Sequence, residues 1–448
     1  SKGNPFINQS VIRYHSGSGI RTDSYDYNNS TPTLKITNNT ISNNKGGSYG
    51  GGISLYWYGV NTVIISGNTI SNNVGSSGGI SARGGSMIIS GNTIEGNKTG
   101  RYEWNPGGVV FQLDGEGGGI NSGGSSIQIL NNVIKGNQSR EGGGIKGQGT
   151  ITGNTIINNY ASSSGGGFYL GGHTNNDTPL SDNFILNNTA NSSGGGIYIE
   201  GSIGITGNVI AGNTSSNDGG AIYYRRGGSH NDDVFYISAN TIFNNTGKSV
   251  IYHYCFSDDV LKVENNVIVG NNATGSYVVQ LSNHPSYGNG NILFNNNNIY
   301  DNGGTYELSN QSALATGNLN AENNYWGTSD ASAIATKVHD WNDDSSYEFV
   351  DYTPHETAII TSNPIAPPTG VSGQAGPTTM QLSWTANSES DIAGYKVYYD
   401  TDGSGYPYAN SVSTGSTGTS YTLTGLTTGT TYYTAVAAVG SDGNESWV

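Results

Sequence analysis

Apolar and polar positions along this chain repeat on a short beat. The pattern apolar-x-x-Asn-x-apolar recurs at Ile36 to Ile41, Ile65 to Ile70, Ile89 to Ile94, Ile129 to Ile134 and Ile151 to Ile156. It continues through Leu180 to Ile185, Ile205 to Ile210, Ile237 to Ile242, Val263 to Ile268 and Phe294 to Ile299, with looser copies at Ile7 to Ile12 and Ala321 to Trp326. The anchoring polar residues run from Ser10 through Asn39, Asn68, Asn92 and Asn132 to Asn324, at intervals between 22 residues (Asn132 to Asn154) and 40 (Asn92 to Asn132). Each unit predicts three short strands: the Ile-x-x-Asn-x-Ile segment, a strand after a run of glycines ("GGGISLY", "GGGFYLG"), and an alternating run such as "NTVIIS". Period-two alternation over so few residues is a strand signal, and Gly, Asn and β-branched residues disfavour helices.

Strands that recur in one direction, each a turn above the last, wind into a parallel coil with Ile, Val and Leu stacked inside. Asparagines at the corners tolerate left-handed φ and pass amide hydrogen bonds from coil to coil, while the glycines open a path that a Cβ would block. The expectation is an all-β fold whose main body is a parallel β-helix of about 12 coils, about 58 Å long at strand spacing. A leucine-rich repeat would need a Leu-x-x-Leu-x-Leu core and tighter spacing.

Composition narrows the function classes. The balance of 32 acidic against 17 basic residues gives a charge of −15, which disfavours nucleic acid and anionic membranes as partners. A single cysteine, Cys255, excludes an intramolecular disulfide framework and a multi-cysteine metal site, and reads as a small buried apolar group. No apolar run is long enough for direct membrane insertion, and "SKGNPFINQS" lacks a signal-peptide core.

The "GGGI" segments with "I-x-N-N" ends resemble the right-handed parallel β-helix repeats of microbial surface proteins, adhesin passengers included, over residues 1–352. Handedness and extracellular or cell-surface location come from that resemblance. "NNYWGTSDASAIATKVHDWNDDSSYEFVDYTP" (323–354) resembles the closing module of such proteins, which implies Trp326 as an end plug, a short helix over 331–338 and a last strand in "YEFVDY". Prolines concentrate in a linker, 353–367, and residues 368–448 resemble a fibronectin type III module. Trp384 stands as its core tryptophan, with Leu426, Tyr432 and Val436 as further markers and Thr428 where many members carry proline. Its seventh strand is expected to be missing at "NESWV", and no N-terminal cap is recognisable. Both point to a fragment of a longer chain or to subunits that complete each other end to end.

Candidate chemistry sits on the strand after the glycines. If the residue closing each glycine run points inward, the next points out, which lines up Lys146, Tyr169, Tyr198, Tyr223 and Tyr252, with Arg83, Gln148, Glu200, Arg225 and Tyr254 two places on. Aromatic faces beside Arg and Glu suit a sugar polymer, and the same row suits lateral packing or a plain surface. Trp104, with Arg101, Glu103, Asp114 and Glu116, lies in the longest interval and is a candidate ligand edge or a tolerated insertion. "YYRRGGSHNDDVFY" (223–236) gathers acids and bases but reads as a turn. "DTDGSG" (400–405) starts like a calcium loop yet has Ser411 at its twelfth position, so no cofactor is expected and Ca²⁺ lacks a complete motif. Asn-x-Ser/Thr sites are frequent, including Asn38, Asn97, Asn137, Asn187, Asn213, Asn244 and Asn310, as an Asn-rich chain produces by chance.

Two function classes follow. One is an extracellular structural or adhesive protein, a fibre subunit whose partners are copies of itself or other surface proteins. The other is a carbohydrate-active protein, a polysaccharide lyase or glycan binder, working on the tyrosine strand.

Overall fold

The computed structural model describes the chain apart from residues 1–5, 25–32, 58–61, 106–107, 125, 173–179, 202, 226–233, 256–259, 284–291, 313–317 and 404. Residues 6–351 wind into a coil with four parallel faces. The first face has 13 strands, from Phe6–Asn8 to Val350–Asp351; the second has 11, from Val11–Arg13 to Asn298–Tyr300. The third is a row of 8 two-residue strands from Val74–Gly75 to Asn272–Ala273, and the fourth has 12, from Ile20–Ser24 to Val338–His339. The three-strand expectation is corrected in two ways. The Ile-x-x-Asn-x-Ile segment is two strands that meet at the asparagine, as in Met87–Ser90 and Thr93–Glu95, and the short third face was not anticipated.

One inward row fills each long face. Ile36, Ile65, Ile89, Ile129 and Ile151 stack in register on the first, Ile41, Ile70, Ile94, Ile134 and Ile156 on the second, and Ile53, Ile80, Ile120, Ile145 and Phe168 on the fourth. All are at most 2% exposed. Burying each such side chain stabilises the coil by roughly 1.5–3 kcal/mol.

The corners divide the labour that sequence reasoning gave to one asparagine. The left-handed residue is the one before the anchor: Asn38 (φ 54°), Gly67 (66°), Gly91 (60°) and Asn131 (54°). The anchor itself is buried and carries the hydrogen bonds. Asn132 donates its backbone N–H and its Nδ2 to Asn154 Oδ1 (both 2.9 Å), and Nδ2 also donates to Ile89 O (2.8 Å). Its own Oδ1 accepts the same pair from Asn92. A second row, five residues on, repeats this from Asn44 through Asn73, Asn97, Asn137 and Asn159 to Asn302. That row closes Asn97, Asn137 and Asn213, each 0% exposed, to glycan attachment in the folded chain, and Asn310 is equally shut at 1%.

Glycines form a third stacked row. A Cβ on Gly166 would lie 2.4 Å from Gly195 O and 2.7 Å from the Thr189 backbone, so main chain blocks it from two directions. Gly166→Ala is therefore expected to cost at least the 1–3 kcal/mol typical of overpacking, read as a lower urea midpoint.

At the far end Trp326 is fully buried beside Phe294 (6.1 Å between centroids), and a helix, Ala331–Ala335, capped by Asp330, follows it. That helix is shorter than the 331–338 expected. Beyond the connecting residues, two antiparallel three-stranded sheets, built from Ser372–Ala375, Thr379–Ser383 and Ser420–Thr424 and from Asn410–Ser413, Ile392–Asp400 and Tyr433–Gly440, enclose Trp384, Tyr395, Val397 and Val436. The connection is bonded to the coil: Asn298 exchanges two hydrogen bonds with the Ile360 backbone (2.9 and 3.0 Å), and Asn363 Nδ2 donates to Asn296 O.

This sandwich lies against the second face. The last residue of each second-face strand reads Arg13, Ser42, Ser71, Glu95 and Lys135 in the early coils, then Ile157, Leu186, Ala211, Phe243, Val269 and Tyr300. The apolar half of that row is covered. Tyr406 and Trp447 pack on Phe184 at 4.8 and 5.4 Å, and Ala366 packs with Val269 and Tyr300.

Candidate binding face

The fourth face is positioned by the glycine runs, which set the inward residue and so the outward one after it. Lys146, Tyr169, Tyr198, Tyr223 and Tyr252 stand in register on five consecutive strands. The rings stack at 4.7, 4.8 and 4.9 Å with interplanar angles of 17°, 4° and 12°. Strand spacing alone sets those distances. A consequence not visible in the sequence is that each inner ring spends both faces on its neighbours. What remains for a partner is a row of ring edges and hydroxyls.

Charged groups organise the row. Glu200 accepts from the hydroxyls of both Tyr169 (3.1 Å) and Tyr198 (3.0 Å). Lys146 lies over the Tyr169 ring at 4.6 Å and pairs with Glu116 (2.6 Å) and Glu141 (2.7 Å). Burial pushes the Tyr169 and Tyr198 hydroxyls up, with the Glu200 charge adding to it, and pushes Tyr252 up to about 12. Tyr223 is raised too by burial, against the opposing pull of Arg225. All four are phenols at neutral pH, able to donate a hydrogen bond and unsuited to taking a proton.

The remaining sequence candidates divide. Arg225 is exposed, in register with Glu200 and Tyr254. Gln148 turns its amide to Gly171 O (3.0 Å). Arg83 is apart from the tyrosines, beside Gly123 and donating to the Tyr56 hydroxyl (2.9 Å). Trp104 is on the outer hairpin of Arg101–Asn105 and Gly108–Gln112, and its side chain, like that of Cys255, lies outside the described residues, as does 226–233. Asp400 is buried and accepts from Ala409 N, and no group of three or more His, Cys, Asp or Glu side chains suited to a metal ion occurs among the described residues. Sequence reasoning missed Glu141. Its signal was a charged residue directly before a glycine run, a position that the turn brings back over the next strand.

Comparisons with known proteins match both parts of the chain. A model of the right handed beta helix region matches residues 1–185, and one of the fibronectin type III domain matches residues 366–448. Among solved structures, the chicken CNTN1 FN1-FN3 domains match at 26% identity, with 19% of this chain and 30% of that one covered and a TM-score of 0.17. A Fn3-like protein from Clostridium thermocellum matches at 38% identity, over 18% of this chain and 83% of that one, with a TM-score of 0.17. This chain thus spans under a third of the length of the first of them. No curated protein matches. The chain is a right-handed parallel β-helix followed by a fibronectin type III domain.

Proposed function

We propose that this chain is a non-enzymatic rod displayed outside the cell, and that it grips an extended polysaccharide along the tyrosine row. The observation that carries the reading is the strip of hydroxyls and carboxylates from Glu116 and Lys146 to Glu200, repeated at strand spacing along the rod axis. A polymer lying along that axis meets a donor or acceptor at each coil, and its hydroxyls can replace the water held there. Raised tyrosines and a lysine clasped by two glutamates support holding a ligand over removing its protons. β-Helix and fibronectin type III domains suit a surface or carbohydrate-active protein, and no helix among the described residues is long and apolar enough to cross a membrane.

The test is a polysaccharide binding screen with the wild-type chain and Glu200→Gln. The variant keeps the shape and weakens the acceptor that two tyrosines share, so binding is expected to fall by roughly tenfold with the fold intact. Unsaturated products from an acidic polysaccharide, lost in Lys146→Ala or Arg225→Ala, would instead establish a lyase.

A second reading is favoured by the closure of the ring faces and by Tyr198, which faces out yet is only 8% exposed. A row this flat also suits a contact between copies. Regular assemblies under the electron microscope that Tyr223→Lys disperses, with no glycan bound, would select it.

A further inference from the structure

We infer that the seam between the second face and the sandwich is a binding site for a single neutral sugar ring, separate from the tyrosine row. A cavity of about 180 Å³ opens there, walled by Ile157, Leu186 and Ala211 on the coil and by Tyr406, Tyr408 and Trp447 on the sandwich. At about 30 Å³ per water, it holds roughly six waters, the bulk of one substituted ring and too little for an oligomer.

The chemistry of the walls selects the ligand. Of the lining rings, Tyr406 and Trp447 meet at 63°, and Phe184, outside the lining, packs on them at 42° and 38°, unlike the closed stack on the fourth face. Tilted aromatic rings keep surface for the apolar face of a pyranose. Opposite them the left-handed corner row runs Asn158, Asn187, Gly212 and Asn244, with φ of 55°, 52°, 67° and 53°. The Asn187 amide leans over that glycine, its Oδ1 2.1 Å from where a Cβ would stand, and the exposed amides of Asn187 and Asn244 can both donate to and accept from hydroxyls. The described side chains around the cavity are apolar, aromatic or amide, none of them charged, so they offer a uronic acid or an amino sugar no ionic partner. Because the ring would touch both domains, its binding also strengthens their docking.

The experiment titrates the full chain with methyl glycosides of glucose, galactose, mannose and N-acetylglucosamine, following tryptophan fluorescence and Tm. At least one glycoside is expected to saturate a single site and raise Tm. Gly212→Asn brings a side chain against the Asn187 amide that leans over the glycine and displaces it from the cavity edge, and Ala211→Leu fills the cavity with the side chain that Leu186 carries one coil earlier. Each is expected to weaken the affinity by roughly tenfold or more while circular dichroism stays unchanged. Tyr198→Ala is expected to leave this binding as it is, whatever it does to polysaccharide binding. Failure of all four glycosides to saturate, wild-type affinity in a folded blocking variant, or loss of binding in Tyr198→Ala would each overturn the inference.

Discussion

Asn132→Ala is expected to lower stability by about 3 kcal/mol, while Asn131→Gly, one residue earlier, is expected to stay within about 0.5 kcal/mol of wild type. The two residues share a type and a corner, but they do opposite jobs. Asn131 is exposed at φ 54°, the conformation that Gly91 and Gly153 hold at the same corner of adjacent coils, so glycine fits without strain. Asn132 is 1% exposed and sits inside a continuous row. Its loss removes the acceptor of the Asn92 N–H and Nδ2 and the donor to Ile89 O and Asn154 Oδ1. The Asn92 N–H loses its partner, while Asn92 Nδ2 keeps Ile65 O and Ser90 O and Asn154 Oδ1 keeps the backbone N–H of residue 132, so one buried group costs roughly 1–3 kcal/mol and the weakened ones add about 1 kcal/mol together. Because each coil touches only its neighbours, the damage should be local. Hydrogen exchange is expected to accelerate first at the amides of Asn92 and its adjoining coils, with urea unfolding supplying the magnitude. A small effect at Asn132, or an equal one at both sites, would mean that the amide row adds little to the coil.

That contrast also shows how far the sequence could be read. The spacing of the anchors is the spacing of the hydrogen bonds: 24 residues from Asn68 to Asn92, 40 from Asn92 to Asn132, 22 from Asn132 to Asn154. The coil was therefore legible, insertions included. The second amide row was equally legible in principle, since Asn44, Asn73, Asn97 and Asn137 each follow an anchor by five residues. A reading that assigns one asparagine to each corner passes over it, because one is enough to make the turn. Alternation put the tyrosines on one outward row, and the structure brings them into register. What alternation does not encode is the distance between coils, and at 4.8 Å an aromatic row shuts its own faces. The docked sandwich left a trace too. After the inward isoleucine, "NTIS", "NTIE" and "NVIK" give way to "NTII", "NFIL", "NVIA", "NTIF" and "NVIV", an outward position turned apolar just where the second domain covers it. Outward apolar residues are common singly, so only their persistence over consecutive coils carries the information.

The other large effect is expected on acidification. His253 points into the coil on the same inward row as Tyr224 and Leu281, 2% exposed, with Tyr224 5.5 Å away between ring centroids and Nδ1 without a hydrogen-bond partner. Burial alone pushes its pKa down to about 3 from an ordinary 6.5. The folded chain therefore refuses a proton that the unfolded chain accepts. Stability tied to this residue is whole above pH 6.5, falls as pH drops below it, and levels off near pH 3. At 1.36 kcal/mol per unit the loss reaches about 3 kcal/mol at pH 4. His253→Leu places there the side chain that Leu281 already provides one coil on, removes an unpaired nitrogen and deletes the titration. The variant is expected to match or exceed wild type at pH 8 and to lead by about 3 kcal/mol at pH 4, the two urea-unfolding curves diverging by one proton between those limits. The carboxylates titrate alike in both chains and cancel from the difference. Parallel curves would show that His253 takes its proton normally, and with that the packed interior around Tyr224 would have to be open to water.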